Sequence, residues 1–351
     1  MVATSRFLQA CRGEPHDTVP VWFMRQAGRY QPSYRELRKR WSMLELARSP
    51  HLIETVTVSP VEELGVDAAI LFSDIMIPLD GYPIAYDIRE NVGPVVPEPI
   101  RGAEAVRGLG TWNSERVGFV YEGVARVVAT LDGVPLIGFA GAPFTLASYL
   151  IEGAPSRTYR HTKTLLWADP PAFSALLAKL SDMVVEYLTS QVQAGASALQ
   201  LFDSWVGALS VEDYRTAVLP HMRGIFERLR PLGVPIIYFG VGTQHLLVDM
   251  ADCGATVIGV DWRTPLPMAR ELVGPTAGLM GNLDPERLVA GLAAVESGAK
   301  DILTAMARDP RFIFNLGHGI PKEADPTVLK QLVAFVHEWG RGHGAAEVMA
   351  K

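Results

Sequence analysis

"ALQLFDSWVG", residues 198–207, holds six residues of largely apolar, strand-length chain whose last position is a carboxylate, followed at once by a hydroxyl. A run so short and so apolar suits a strand buried on both faces, as in a parallel sheet. Its polar residues, Asp203 and Ser204, fall where the strand would end. Seven more runs of the same kind lie along the chain: "VPVWFM" (19–24), "AAILFS" (68–73), "PLIGFA" (135–140), "PIIYFG" (235–240), "TVIGVD" (256–261), "AGLMGN" (277–282) and "FIFNLG" (312–317). Longer amphipathic segments separate them, and these carry helix signals. Ser49-Pro50, Thr264-Pro265 and Asp284-Pro285 each offer a cap followed by proline, and Ser210 with Asp213 forms a capping-box pattern ahead of "YRTAVLPHMRGIFERL". Gly254 marks the end of a helix that begins near Gln244. Strand and helix alternate about eight times, which predicts an α/β chain folded as a (β/α)8 TIM barrel, with its site at the C-terminal ends of the strands. The expected unit is one domain over 1–351, with an N-terminal extension to about residue 18 and a loose tail over 341–351. A doubly wound open sheet is the alternative, but no GxGxxG follows the first run.

Composition narrows the function classes. The chain has 351 residues, 48% hydrophobic, with a formal net charge of −6 and no basic tract, so nucleic acid is not an expected partner. No window approaches the ~18 uncharged apolar residues of a membrane span, and "MVATSRFLQACRGEP" has no secretory core, so a cytoplasmic protein is expected. Cys11 and Cys253 are the two cysteines, far apart and without CxxC, which gives neither a disulfide framework nor a zinc knuckle. HExxH, GxSxG and a Walker lysine are all missing, so no metal or cofactor is expected. "GVGTQH" (240–245) imitates a phosphate loop without its third glycine and lysine. One interval breaks the alternation. Residues 75–112 are rich in Pro and Gly, and "PIAYDI" against "VGPVV" predicts a small hairpin that either lines the mouth or is a surface excursion.

Chemistry in such a barrel gathers where strands end. The first exit, "FMRQAGRY" (23–30), presents Arg25, Gln26 and Arg29; close guanidiniums repel, so their crowding points to an anion. The second exit gives Ser73 and Asp74, and the third leads to Tyr149. The fourth gives Asp203 and Ser204, and the last gives His318. On residue type alone each has a structural reading too. Asp74 serves equally as a cap, Ser204 as a loop hydroxyl, Tyr149 as core and His318 as a turn residue.

"PVWFMRQAGRYQPSYRELR" (20–38) resembles the N-terminal signature of the uroporphyrinogen decarboxylase family. The likeness continues through "LFSDI", "GFAGAPFTLASYLIEG", "LQLFDSWVGALS", "YFGVGT", "GVDWRTPL", "GNLDP" and "FNLGHGI". It covers nearly the whole chain, least of all in the 75–112 interval. The resemblance implies a one-domain barrel, generally a homodimer in haem and related tetrapyrrole synthesis. Such an enzyme, a carboxy-lyase, converts the four acetate arms of uroporphyrinogen III to methyl groups, giving coproporphyrinogen III and CO2 without metal or organic cofactor. It places substrate contacts on Arg25, Gln26, Ala27, Gly28, Arg29, Asp74, Tyr149, Ser204 and His318, with Asp74 and Arg25 catalytic. Two rival readings are a zinc-dependent corrinoid or methionine-synthase-like methyltransferase of the same superfamily and a non-catalytic tetrapyrrole carrier.

Overall fold

A computed structural model describes residues 5–90 and 92–342. Seven of the eight apolar runs become strands. In chain order the strands are β1 (Ala69–Ile70), β2 (Asp87–Arg89), β3 (Gly93–Val95), β4 (Leu136–Gly141), β5 (Ala198–Asp203), β6 (Ile236–Gly240), β7 (Val257–Gly259), β8 (Gly278–Leu283) and β9 (Phe312–Leu316). A parallel sheet runs β1-β4-β5-β6-β7-β8-β9, and β2 and β3 form a separate antiparallel hairpin. Between the parallel strands the chain returns through helices, among them Pro143–Glu152, Pro170–Gln193, Leu266–Val273 and Leu292–Ala305. Strands β4, β6, β8 and β9 are buried at every position, which is why they read as unbroken apolar runs.

The first run, expected as a strand, makes only a single parallel bridge, Val21 to Phe314. Trp22 N–H reaches Phe314 C=O at 3.4 Å, but three other backbone donors go to side chains. Val21 N–H reaches Asp67 Oδ2 at 2.7 Å, Phe23 N–H reaches Gln26 Oε1 at 3.1 Å, and Met24 N–H reaches Asn315 Oδ1 at 3.2 Å. Pro20 has no donor, though its carbonyl accepts from Phe314 N–H at 2.9 Å, while Val21 C=O accepts from Asp67 N–H at 2.8 Å. This segment therefore bonds to β9 on one side and to the residues entering β1 on the other. A similar substitution serves β4, where β1 is too short to reach. The Gln191 amide caps Phe139, accepting from its N–H at 2.9 Å and donating to its C=O at 3.0 Å.

Helix starts follow the sequence signals with three differences, one of them at Asp284-Pro285, where the helix Arg287–Ala290 starts late with Glu286 at the cap. Ser210 accepts from Asp213 N–H at 3.1 Å, as expected. Ser49 sits at the cap ahead of Pro50, but its side chain makes no capping bond. The Leu266–Val273 helix begins one residue late, with Pro265 rather than Thr264 at the cap. The N-terminal extension holds a helix, Arg6–Arg12, with Phe7 and Cys11 fully buried and Arg6 bonded to Asp17 and Asp67. Of the expected tail, Arg341 and Gly342 end the helix Pro326–Gly342, and residues 343–351 lie outside the described residues.

Candidate active site

The chain leaves its first run by a turn at Arg25, whose φ of 53° is a left-handed conformation that non-glycine residues seldom adopt. Gln26 holds the turn. Its buried amide accepts from Phe23 N–H and donates to Ala68 C=O at 3.2 Å, and its carbonyl accepts from the Tyr30 hydroxyl at 2.6 Å. Strain at Arg25 is thus fixed by its neighbours, as is common where a side chain must be aimed. The arginine stem lies against Gly319, where an added Cβ would come within 2.5 Å of Arg25 Cδ. Glycine after His318 is a space requirement of the first exit. Further along, Gly28 N–H donates to Gln31 Oε1 at 3.3 Å, and Arg35 holds the carbonyls of Arg29 and Tyr30, each at 2.9 Å. Arg29 comes within 3.7 Å of Glu90 Oε1 in the hairpin. The 75–112 interval thus reaches the first loop, and Val96 and Ile100 bond it to the end of the Pro143–Glu152 helix at 2.7 and 2.8 Å.

At the second exit, Asp74 Oδ1 accepts from Met76 N–H at 2.9 Å ahead of the turn Ile77–Gly81. Asp74 thus makes a local turn bond and does not cap the helix that follows, where Met76 stands at the cap. Burial raises its carboxyl pKa above the ordinary range, and Arg25 pulls it back. Tyr149, half-buried on its helix, has its phenol pushed up by burial first and by Asp74 second, with Arg25 opposing. Three exits thus share one electrostatic neighbourhood. The Tyr149 ring stacks 3.9 Å from Trp205, which also meets Tyr159 edge-on at 5.3 Å.

Ser204 lies between Trp205 and the wholly buried Asp203. Asp203 accepts from Thr145 Oγ1 at 2.7 Å and from the Tyr238 hydroxyl at 3.0 Å, and Thr145 Oγ1 accepts from Trp205 N–H at 3.2 Å. Burial pushes the Asp203 pKa up to about 6, with both hydroxyl donors pulling the other way. This carboxylate anchors the exit that carries Ser204 and Trp205.

His318, at the last exit, is depressed to about 4, by burial first and then by the charges of Arg25 and Arg263, with Asp261 opposing. Trp262 stands edge-on to its imidazole at 6.2 Å. Arg25, Asp74, Tyr149 and His318 are thus brought together around Arg25. Ser204 precedes Trp205, which stacks on Tyr149, and Ala27, Gly28 and Arg29 lie on the Arg25 loop. Gln26 is at the mouth, but its side chain is committed to the backbone. Sequence reasoning passed over Trp205, Tyr159, Asp261 and Arg263. For Asp261 and Arg263 the signal was present: "GVDWRTPL" puts a carboxylate and a guanidinium directly after a strand run.

Among the described residues, no three His, Cys, Asp or Glu side chains gather in a metal-holding arrangement. Both cysteines are buried, and burial pushes the Cys253 thiol up to about 12. Comparison with known proteins gives a uroporphyrinogen decarboxylase family model matching residues 3–339.

The chain belongs to the uroporphyrinogen decarboxylase family.

It is 50% identical to a uroporphyrinogen decarboxylase of Geobacillus sp. (strain WCH70), across 95% of this chain and 96% of that one. It is 47% identical to the protein of that name from Bacillus cereus (strain G9842), across 96% and 97%. Among solved structures, a methyltransferase from Methanosarcina mazei superposes with a TM-score of 0.80 at 22% identity, covering 95% of this chain and 98% of that one. A B12-independent methionine synthase from Shewanella sp. W3-18-1 superposes at 0.55 with 8% identity, covering 86% and 89%. At such identities the likeness is one of fold.

Proposed function

We propose that this family member decarboxylates the four acetate arms of uroporphyrinogen III at the mouth formed by Arg25, Asp74, Tyr149, Ser204 and His318. Family membership and the named relatives support the carboxy-lyase reaction in tetrapyrrole synthesis. The observation that carries the site is the convergence on Arg25 of a carboxylate, a phenol and an imidazole from three other exits.

The residue types suit the chemistry. Losing CO2 from an acetate arm needs a sink for the electron pair of the broken C–C bond, and a protonated pyrrole is one. A proton added to the α ring carbon beside the one bearing the arm makes a cation delocalised onto the arm-bearing carbon, and CO2 leaves as the electron pair flows into the ring. The resulting exocyclic methylene takes up a proton and the ring carbon releases one, leaving a methyl group and consuming one proton net. No external electron sink is required. Asp74 accepts the pyrrole N–H bonds and stabilises the cation, in surroundings where burial strengthens the interaction. Arg25 and Arg29 clamp substrate carboxylates through charge-assisted bonds. His318, depressed to about 4, is neutral near pH 7 and acts as a hydrogen-bonding group rather than an acid. A guanidinium is too weak an acid to donate, so the proton arrives through water at Arg25.

The same reading makes the fold a single-domain closed (β/α)8 barrel. Its support is the bonding of residues 20–22 to both β9 and the entry to β1. From the family resemblance we carry over a cytoplasmic homodimer working without metal or cofactor. Anaerobic incubation with uroporphyrinogen III, with products separated by carboxyl number, tests the activity. A run of intermediates ending in coproporphyrinogen III is expected, and unchanged substrate would refute it.

A further inference from the structure

Arg263 takes no part in the chemistry above, yet it is held like an arginine prepared for an anion. Its guanidinium carbon lies 3.8 Å over the Trp262 ring, and Nη1 donates to Asp261 Oδ2 at 2.5 Å. Both supports are rigid. Asp261 is 1% exposed, and its Oδ2 also accepts from Gly242 N–H at 2.9 Å. The Trp262 backbone is pressed against Gly317, where an added Cβ would lie 2.3 Å from the Trp262 backbone nitrogen and 2.7 Å from its Cβ. An exposed arginine ordinarily loses side-chain freedom when it binds an anion, and that cost offsets much of the attraction. Here that freedom is already restricted by the ring and the carboxylate, while the side chain remains 53% exposed.

The position is equally specific. Arg263 lies over Trp262, whose ring meets His318 edge-on at 6.2 Å, so Arg263 belongs to the same mouth. Neutralising Asp261 occupies one nitrogen and leaves the remaining donors of the fork for a ligand. The proposed substrate carries eight carboxylates, more than Arg25 and Arg29 can pair. We propose that Arg263 binds one of these carboxylates on the His318 side of the mouth and so contributes to selection of a polycarboxylate. This inference rests on the functional reading above for the identity of the ligand.

The test uses the stable oxidised ligand uroporphyrin III for direct binding by fluorescence quenching, and uroporphyrinogen III for anaerobic turnover. Arg263→Met should weaken uroporphyrin binding about tenfold or more, as expected for loss of a charge-assisted pair. The loss in kcat/KM should be carried by KM, and the salt dependence of binding should flatten. Arg263→Lys should recover part of the affinity. Because Arg263→Met leaves Asp261 buried without its partner, the double variant Asp261→Asn/Arg263→Gln removes both charges together and decides the matter if the single variant folds poorly. Wild-type affinity and salt dependence in a folded variant would overturn the proposal, as would a fall in kcat at unchanged KM. If the intact protein failed to turn over uroporphyrinogen, the functional reading would fail; weakened uroporphyrin binding by the variants would then still uphold the anion site.

Discussion

Asp74→Asn separates the catalytic role of this side chain from its structural one. The variant keeps an oxygen where Asp74 Oδ1 now accepts from Met76 N–H at 2.9 Å, so this local turn bond is retained. It removes a carboxylate whose charged form burial already disfavours. Stability should therefore stay within about 1 kcal/mol of wild type, or rise slightly. Catalysis should respond very differently. Losing one preorganised group facing developing charge typically costs about 10²–10³ in turnover, or about 2.7–4 kcal/mol of barrier. The checks are a thermal melt and a single-turnover anaerobic assay with uroporphyrinogen III, which separates the chemical step from binding. A variant that melts like wild type but reacts a hundredfold or more slowly is the expected outcome. A folded variant reacting within threefold of wild type would refute the role and leave Asp74 as a turn-forming residue.

Asp203→Asn should show its effect in the pH dependence of stability. The folded-state pKa is raised from 3.8 to about 6, so the wild type is best stabilised below pH 4 and loses that contribution as pH rises through about 6. The variant does not titrate, so its stability relative to wild type should climb by roughly 3 kcal/mol across that window, read by urea melts at several pH values. Arg29→Ala should raise KM at least tenfold with most of kcat kept, whereas Arg25→Ala should depress both, and binding by the intact protein should weaken with salt. Gln26→Leu, which strands Phe23 N–H and Ala68 C=O, should cost about 2–4 kcal/mol in a denaturant melt.

Strands buried on both faces announce themselves as apolar runs, so β1 and β4 to β9 were legible without a structure, and polar residues at or just after several runs located their exits. The segment 19–24 looked the same but did not become a strand. Three of its backbone N–H groups go to side chains of Asp67, Gln26 and Asn315, and the bridge to Phe314 is too short to make a strand. The hairpin was readable from its two short halves, but its approach to Arg29 through Glu90 was not, because packing between loops leaves no periodicity. In the site, Arg25, Asp74, Tyr149 and His318 were readable as strand-exit groups. Two facts needed coordinates. One was that Gln26 spends its amide on the loop. The other was that Trp205 stacks on Tyr149 through an anchor, Asp203 and Thr145, that bridges separate exits.

The central claim is that the substrate's own pyrrole receives the electrons, with Asp74 and Arg25 as the assisting groups. The most direct measurement is CO2 released per uroporphyrinogen III, under strict anaerobiosis, by protein dialysed exhaustively against a chelator. The account predicts four CO2 per substrate, coproporphyrinogen III as the product, and no rate gained by adding metal back. No CO2 release from the dialysed protein, with activity restored by stoichiometric zinc, would contradict it.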